Sequence, residues 1–460
     1  MGLAAGQSRS VPDHEYSPSI FLDKGLLFMK TRALLLTTCL ILSVQNVLSA
    51  DEWPQWRGPM RDGVWRETGI IEKFDGPQIK HRWRAEIAGG YSGPTVAGGR
   101  VYVTDRVAEP ESAERVLCFD WTDGSKLWEH AYPCNYGKLS YACGPRASVT
   151  IDDGRAYSLG SMGHFLCLDA ATGEVLWKKD PDEFKVRVPI WGVAAAPLIE
   201  GDLVIVQIGG ENACVVALDK RTGSRRWAAL DDPASYAAPI VIDQAGRRVL
   251  VCWTGIRVVG LDVHTGELLW EHEFGYTRWV IAIATPVLHR DRLFVSAADK
   301  GSLMLRLLPE RPAVEKVWWR IGAGEKPTES LHSLMCTPYL AGDHLYGVSR
   351  YGVLRCLDAN TGDRVWADET AASQVRFGTL HIVRNGENVW MFNDRGELII
   401  GRLSPGGFEE ISRAKLIKTT RGQLNRRDGV TWSHPAFAYK HVFIRNDEEL
   451  VCASLAADEP

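Results

Sequence analysis

Apolar residues along this chain fall in short runs separated by turn pairs, and no stretch sustains a 3.6-residue period. That pattern predicts strands rather than helices. The Val-rich runs Arg100 to Val103, Leu203 to Val206, Leu293 to Val295 and His344 to Val348 lie beside turn pairs such as Gly98-Gly99, Asp153-Gly154, Gly201-Asp202 and Gly342-Asp343. Runs that are apolar on both faces, Cys214 to Leu218 and Val249 to Trp253, suit strands packed between two neighbouring layers. A proline opens most units, at Pro94, Pro145, Pro197, Pro239, Pro286, Pro338 and Pro435. Each unit reads as four short antiparallel strands.

One motif punctuates these units. D-x-x-T-G-x-x-x-W runs from Asp120 to Trp128, Asp169 to Trp177, Asp219 to Trp227, Asp262 to Trp270 and Asp358 to Trp366, with Asp123 replacing Thr in the first copy. The Asp ends an apolar run as a turn acceptor, Thr-Gly supplies a second acceptor and a positive-φ position, and the next strand carries the Trp. Repeat tryptophans at 83, 128, 177, 227, 270, 318 and 366 are 43 to 50 residues apart. This period matches four-stranded propeller blades. Burying one indole is worth at most roughly 4 to 6 kcal/mol, so Trp83, Trp128, Trp177, Trp227, Trp270, Trp318 and Trp366 are expected to hold blade to blade.

The expected fold is therefore all-β, an eight-bladed propeller of four-stranded antiparallel blades. Six full units precede a degenerate seventh, from about Gly378 to Ile411, and an eighth that begins at Pro435 and stops after a third strand, Leu450 to Leu455. The missing strand is available in Ile79 to Ile87. Pairing of the Trp83 strand with the Cys452 strand would close the ring and remove its open edges. Residues 79–460 are assigned to the propeller and 51–78 to an N-terminal extension packing on it.

Composition changes the picture mainly in what it excludes. A net charge of −4 with interspersed signs offers no basic stripe, so nucleic acid is not an expected partner. Residues 29–50 combine Lys30 and Arg32, an apolar stretch from Ala33 to Val44 and the small pair Ser49-Ala50, the grammar of a signal peptide. Residues 1–28 are a non-native or extended leader, with translation starting at Met1 or Met29. The apolar stretch is too short to span a bilayer, and no transmembrane helix is expected in the mature chain. A periplasmic or secreted monomer follows as the expectation. Cys118, Cys167, Cys356 and Cys452 share a repeat position with Ala217 and Gly260, which marks a small buried slot. Cys134 and Cys143 instead flank a polar loop between blades one and two, where export permits a disulfide worth about 2 to 3 kcal/mol.

The repeats resemble the tryptophan-docking motif of PQQ-like β-propeller proteins, the family built on the quinoprotein dehydrogenase repeat, over roughly Trp53 to Leu455. The opening Trp53-Pro54-Gln55-Trp56-Arg57-Gly58-Pro59, followed by Arg61-Asp62-Gly63, resembles secreted members that are not known dehydrogenases. The resemblance implies a scaffold shared by enzymes and non-enzymatic assembly factors. In the dehydrogenases it implies a quinone over the central funnel, between a stacking Trp and a disulfide of adjacent cysteines, with Ca²⁺ held by Glu, Asn and Asp. This chain has no Cys-Cys pair, although Trp191, Trp279 and Trp432 are available to stack.

Function is expected in the nonrepeating linkers that lead into each inner strand, because these surround one end of a propeller's channel. They carry Tyr91, Tyr141 with Arg146, Trp191, Tyr236, Arg278 with Trp279, His332, Arg376 with Phe377, and Trp432 with His434. Aromatic faces with arginines suit a polar ligand that is flat or sugar-like and carries anionic groups. The same side chains would also serve as a plug that satisfies itself. His164, His332, His381 and His434 have no metal-ligand spacing, and no G-x-S-x-G, H-E-x-x-H, P-loop or dinucleotide fingerprint is present. No catalytic residue, metal or cofactor is assigned. The leading expectation is an exported binding or scaffold propeller for an envelope protein or a small polar ligand. The alternatives are a PQQ-dependent alcohol or sugar dehydrogenase, to which PQQ and calcium belong, and a carbohydrate-binding or lyase-like propeller.

Overall fold

The computed structural model describes residues 52–274, 282–322 and 329–457. The leader, the signal segment, Arg278 and Trp279 lie outside the described residues. Eight four-stranded antiparallel sheets follow one another along the chain, at 95–133, 150–179, 198–229, 240–273, 287–320, 339–368, 380–415 and 436–454, the last joined by Trp83–Glu86. First strands of neighbouring sheets touch, as Thr95–Ala97 does with Ala436–Ala438. The eight-bladed propeller is therefore as expected, and its closure pairs the expected strands, with Trp83 opposite Cys452 and Glu86 opposite Glu449. Among the described residues, no helix is long and apolar enough to cross a membrane.

The motif explains how each blade grips the next. Asp169 Oδ1 accepts the Ala171 and Thr172 backbone N–H groups, and Gly173 takes φ +78°. The Trp128 ring of the preceding blade lies on that glycine, where an added Cβ would stand 2.6 Å from the ring, and its indole N–H donates to the Ala170 carbonyl at 3.1 Å. Trp177 docks likewise on Gly223 and the Lys220 carbonyl, Trp227 on Gly266 and the Val263 carbonyl, and Trp318 on Gly362 and the Ala359 carbonyl. Trp83 does the same to Gly124 and the Trp121 carbonyl, so ring closure reuses the ordinary contact between blades.

The small slot lies directly across from the tryptophan, with a register break on its far side in most blades. Cys118 faces Trp128, Cys167 faces Trp177, Ala217 faces Trp227, Gly260 faces Trp270 and Cys356 faces Trp366. Met304 fills it opposite Trp318. In the seventh blade the sizes are exchanged: Ile400 occupies the slot and Ser412 stands where the tryptophan would be. The blade that looked degenerate in sequence places its large side chain in the slot and its small one across from it.

Cys134 and Cys143 form no disulfide; both thiols are free. Cys134 is buried against His164, 3.9 Å from Nδ1, whereas Cys143 reaches the last blade and donates to Asp447 Oδ1 at 3.1 Å. The loop joining them crosses from one blade to another, so proximity in sequence does not become proximity of sulfurs. Burial pushes the Cys143 thiol up to about 12.

Residues 52–67 cross the end of the channel opposite the linkers. Trp53 bridges Val96 of blade one, the Pro54 carbonyl accepts Ile151 N–H of blade two, and Arg61 donates to the Pro197 carbonyl of blade three at 3.0 Å. Val64 bridges Arg384 of blade seven, and Glu67 accepts the Lys440 N–H of blade eight. Trp53 and Trp65 are each 2% exposed and pack on Phe437, with Trp65 edge-on to Trp390. Burial lowers the Arg61 guanidinium to about 9, Arg57 adding repulsion.

Candidate functional site

A cavity of about 470 Å³ occupies the linker end of the channel, a size suited to a small molecule. Nine sequence-selected linker residues line it: Tyr91, Tyr141, Arg146, Trp191, Tyr236, Arg376, Phe377, Trp432 and His434. His332 does not. It lies beneath the wall, 3% exposed, with Nδ1 donating to the Ala298 carbonyl at 3.0 Å. The lining residues that escaped the sequence reading of the linkers include Trp56, Arg350 and His381 and the apolar Ile190, Ile283, Leu334 and Met335. Trp56 comes from the segment that crosses the far end, where its indole N–H donates to Thr285 Oγ1 at 2.8 Å. Its ring stands edge-on to His434, 4.4 Å between centroids, and forms the cavity floor. The only signal for it was the opening W-P-Q-W-R-G-P run. Arg350 follows the second strand of blade six, at the same end as the linkers.

Ring contacts run around the wall. Phe377 lies 6.1 Å from Trp432, Trp432 is 6.4 Å from Tyr91 and 6.1 Å from Tyr141, Tyr141 is 6.4 Å from Trp191, and Trp191 is 5.3 Å from Tyr236. Tyr141 and Phe377 hold φ at +54° and +72°, a left-handed conformation that turns each linker tightly at the rim. Guanidinium groups stack on this belt: Arg146 is 4.9 Å from the Tyr91 ring, and Arg350 and Arg376 are 5.4 and 4.8 Å from Phe377. Arg146 donates to Ser161 Oγ and to the Gly144, Ser140 and Tyr141 carbonyls, all neutral acceptors. Behind Ser161 lies the fully buried Glu114, its carboxylate taken up by Tyr132, Tyr136 and the Ser161 N–H. The Trp432 indole N–H has no acceptor among the described residues.

At the floor, His381 donates from Nε2 to the Trp432 carbonyl at 2.9 Å, and His434 Nε2 accepts the Gly93 N–H at 3.2 Å. Their rings are 6.1 Å apart. Burial holds His381 down to about 4; burial, with His381 beside it, holds His434 down to about 3. Both are neutral near pH 7, while unfolded histidine titrates near about 6.5. Protons therefore bind the unfolded chain preferentially between about 6.5 and 4. Stability is expected to be fully present above that window and to fall as pH drops through it. Urea midpoints from pH 7.5 to 5 check this, and His434→Gln should flatten the slope.

The lining does not fit a quinone–calcium centre. Among the described residues it contains no carboxylate, and no group of three His, Cys, Asp or Glu side chains could hold a metal ion. Calcium needs about six to eight oxygen ligands, and the free, separated Cys134 and Cys143 cannot replace a disulfide of adjacent cysteines.

Comparison with known proteins returns both branches of one scaffold. The outer membrane protein assembly factor BamB of Shewanella oneidensis is 24% identical over 225 residues, covering 48% of this chain and 56% of that protein. The 1-butanol dehydrogenase (cytochrome c) of Thauera butanivorans is 25% identical over 236 residues, covering 50% of this chain and 31% of its own length. The chain thus spans about half the length of the first and a third of the second. A europium-containing methanol dehydrogenase superposes with a TM-score of 0.65, covering 87% of this chain and 90% of that one, a likeness of fold at 12% identity. The family model described as outer membrane protein assembly factor BamB matches residues 112–368, more than half of the sequence, and the chain belongs to that PQQ-like β-propeller family.

Proposed function

We propose that this protein is an exported binding propeller of the cell envelope that holds its ligand or partner at the linker-end funnel and performs no chemistry of its own. The observation that carries the reading is the funnel lining: aromatic faces and three arginines around a preformed cavity, without a carboxylate to act as base or metal ligand. Such a surface binds through stacking and charge; its one serine–histidine contact, Ser148 Oγ to His434 Nε2 at 2.8 Å, joins a serine only 2% exposed to a histidine that burial holds down to about 3, a weak base. Relatives named as outer membrane assembly factors support a noncatalytic envelope role, and the signal-like segment supports export.

The test is capture from envelope extract on the immobilised protein, with bound material identified by mass spectrometry. Saturable retention of one component is expected, reduced at least tenfold by Trp432→Ala and by Arg376→Ala. Undiminished retention by both variants would remove the funnel as the binding site. Reconstitution with PQQ and Ca²⁺ that yields dye-linked oxidation of alcohols would overturn the noncatalytic reading.

A further inference from the structure

The funnel wall is divided by charge. Taken around the ring, the linkers entering blades three to six contribute Ile190, Trp191, Tyr236, Ile283, Leu334 and Met335, together with alanines. The half formed by blades six to eight and the linkers entering blades one and two contributes Arg350, Arg376, His381, Trp432, Tyr91 and Arg146. Among the described residues, every arginine of the lining is therefore on one semicircle and every aliphatic side chain larger than alanine is on the other. Among the described residues no carboxylate lines this half.

The charged half is also geometrically focused. Trp432 lies between Tyr91, which carries Arg146, and Phe377, which carries Arg350 and Arg376, in one unbroken series of ring contacts. Arg146 is half-buried and its hydrogen-bond acceptors, Ser161 Oγ and three carbonyls, are all neutral, so its positive charge is not cancelled by these contacts. A partly desolvated guanidinium in a low-dielectric wall attracts an anion more strongly than one in water. The two neutral histidines of the floor add no charge at pH 7. Among the described residues the opposite wall has little to offer an ion and much to offer hydrocarbon, about 25 cal/mol for each Å² covered. Tyr141 and Ile190, 38% and 39% exposed, stand at the mouth where a ligand would enter.

We infer that the funnel takes an amphipathic anion: a molecule with a carboxylate at one end, held among Arg146, Arg350 and Arg376, and an apolar body lying against Ile190, Trp191, Ile283, Leu334 and Met335. This rests on the proposal that the funnel is the binding site and names the class of its ligand. A small, evenly hydrated anion would leave the apolar half unfilled, and a neutral hydrocarbon would leave the arginines unused. The carboxylate can be carried by an aliphatic chain or by an aromatic ring system; the wall accepts both, and the test separates them.

Octanoate and 2-naphthoate are titrated against the full mature protein by calorimetry, with tryptophan emission as a second readout, beside 1-octanol, 2-naphthalenemethanol and acetate. At least one of the two amphipathic carboxylates is expected to bind tenfold or more tightly than its matching alcohol and than acetate. Arg146→Gln and Arg376→Gln should each weaken that carboxylate at least fivefold while changing the alcohol less than twofold. Arg376 is exposed, so its variant keeps the fold intact even if the Arg146 change disturbs the wall. Equal binding of acid and alcohol, no binding of either acid, or indifference to both arginine changes would overturn the inference. If envelope capture at the funnel persists in those cases, the binding reading stands and only the ligand class is wrong; loss of both removes the site altogether.

Discussion

A chain in which residues 79–87 are replaced by a nine-residue Gly/Ser linker is expected to lose its single cooperative unfolding transition and to aggregate. Trp83–Glu86 is the fourth strand of the last blade, and it is the one strand whose blade is not completed by adjacent sequence. Its removal uncovers Glu449–Ser454, in which Leu450, Val451, Cys452 and Ala453 are all fully buried. An apolar strand without its neighbour is an open edge ready to pair with another chain. It also removes Trp83 from Gly124 and the Trp121 carbonyl, the contact that fastens blade eight to blade one. Losing one buried tryptophan alone costs about 3 to 5 kcal/mol, a large share of the roughly 5 to 15 kcal/mol that stabilise a typical domain. Adding residues 79–87 after Leu455 through a short turn should restore the transition, because the native register is already that of a hairpin with Cys452. Near-UV circular dichroism on heating, with gel filtration, decides it; a linker variant that melts as sharply as the parent would refute the role of the closure.

Ring closure was legible because it obeys the repeat: Trp83 occupies the repeat tryptophan position and Cys452 the small slot, so the two ends identify each other as halves of one blade. The same regularity locates the linkers, so Tyr91, Arg146, Trp191, Tyr236, Arg376, Trp432 and His434 follow from the sequence, and the fold brings them together at one cavity. What escaped was whatever enters the channel out of period. Trp56 reaches the cavity floor from a segment that belongs to no blade, its position set by hydrogen bonds such as that to Thr285, 229 residues away. Arg350 enters from the turn between the second and third strands of blade six, outside the repeat motif. His332 shows the converse: it lies in a linker, yet the Ala298 carbonyl draws its ring under the wall. Local sequence does not encode which way such a side chain turns, because the deciding partner belongs to another part of the blade. The cysteine loop failed for the same reason, each thiol being settled by a distant neighbour, His164 or Asp447.

Gly260→Val should destabilise the protein by about 3 kcal/mol or more, although glycine here is not required by its backbone conformation. An added Cβ would stand 2.2 Å from Trp270 Cε2 and 2.3 Å from its Nε1, far inside contact distance. The indole cannot easily withdraw, being 7% exposed and anchored by its N–H to Gln244 Oε1 at 2.9 Å. Overpacking a close-fitted core costs about 1 to 3 kcal/mol, and more where the neighbour is fixed. Blade seven shows the compensation that the fold accepts, Ile400 opposite Ser412. Gly260→Val combined with Trp270→Ser copies that exchange and should be more stable than the sum of the two single changes by at least about 1 kcal/mol, the signature of residues in direct contact. Trp270→Ser alone leaves a void beside a glycine and is expected to cost about as much as a tryptophan truncation elsewhere, about 3 to 5 kcal/mol. Urea midpoints for the four proteins at one pH measure the coupling. Additive losses would mean that the slot and the tryptophan respond to separate constraints, whereas a positive coupling shows that the two are fitted to each other by direct contact.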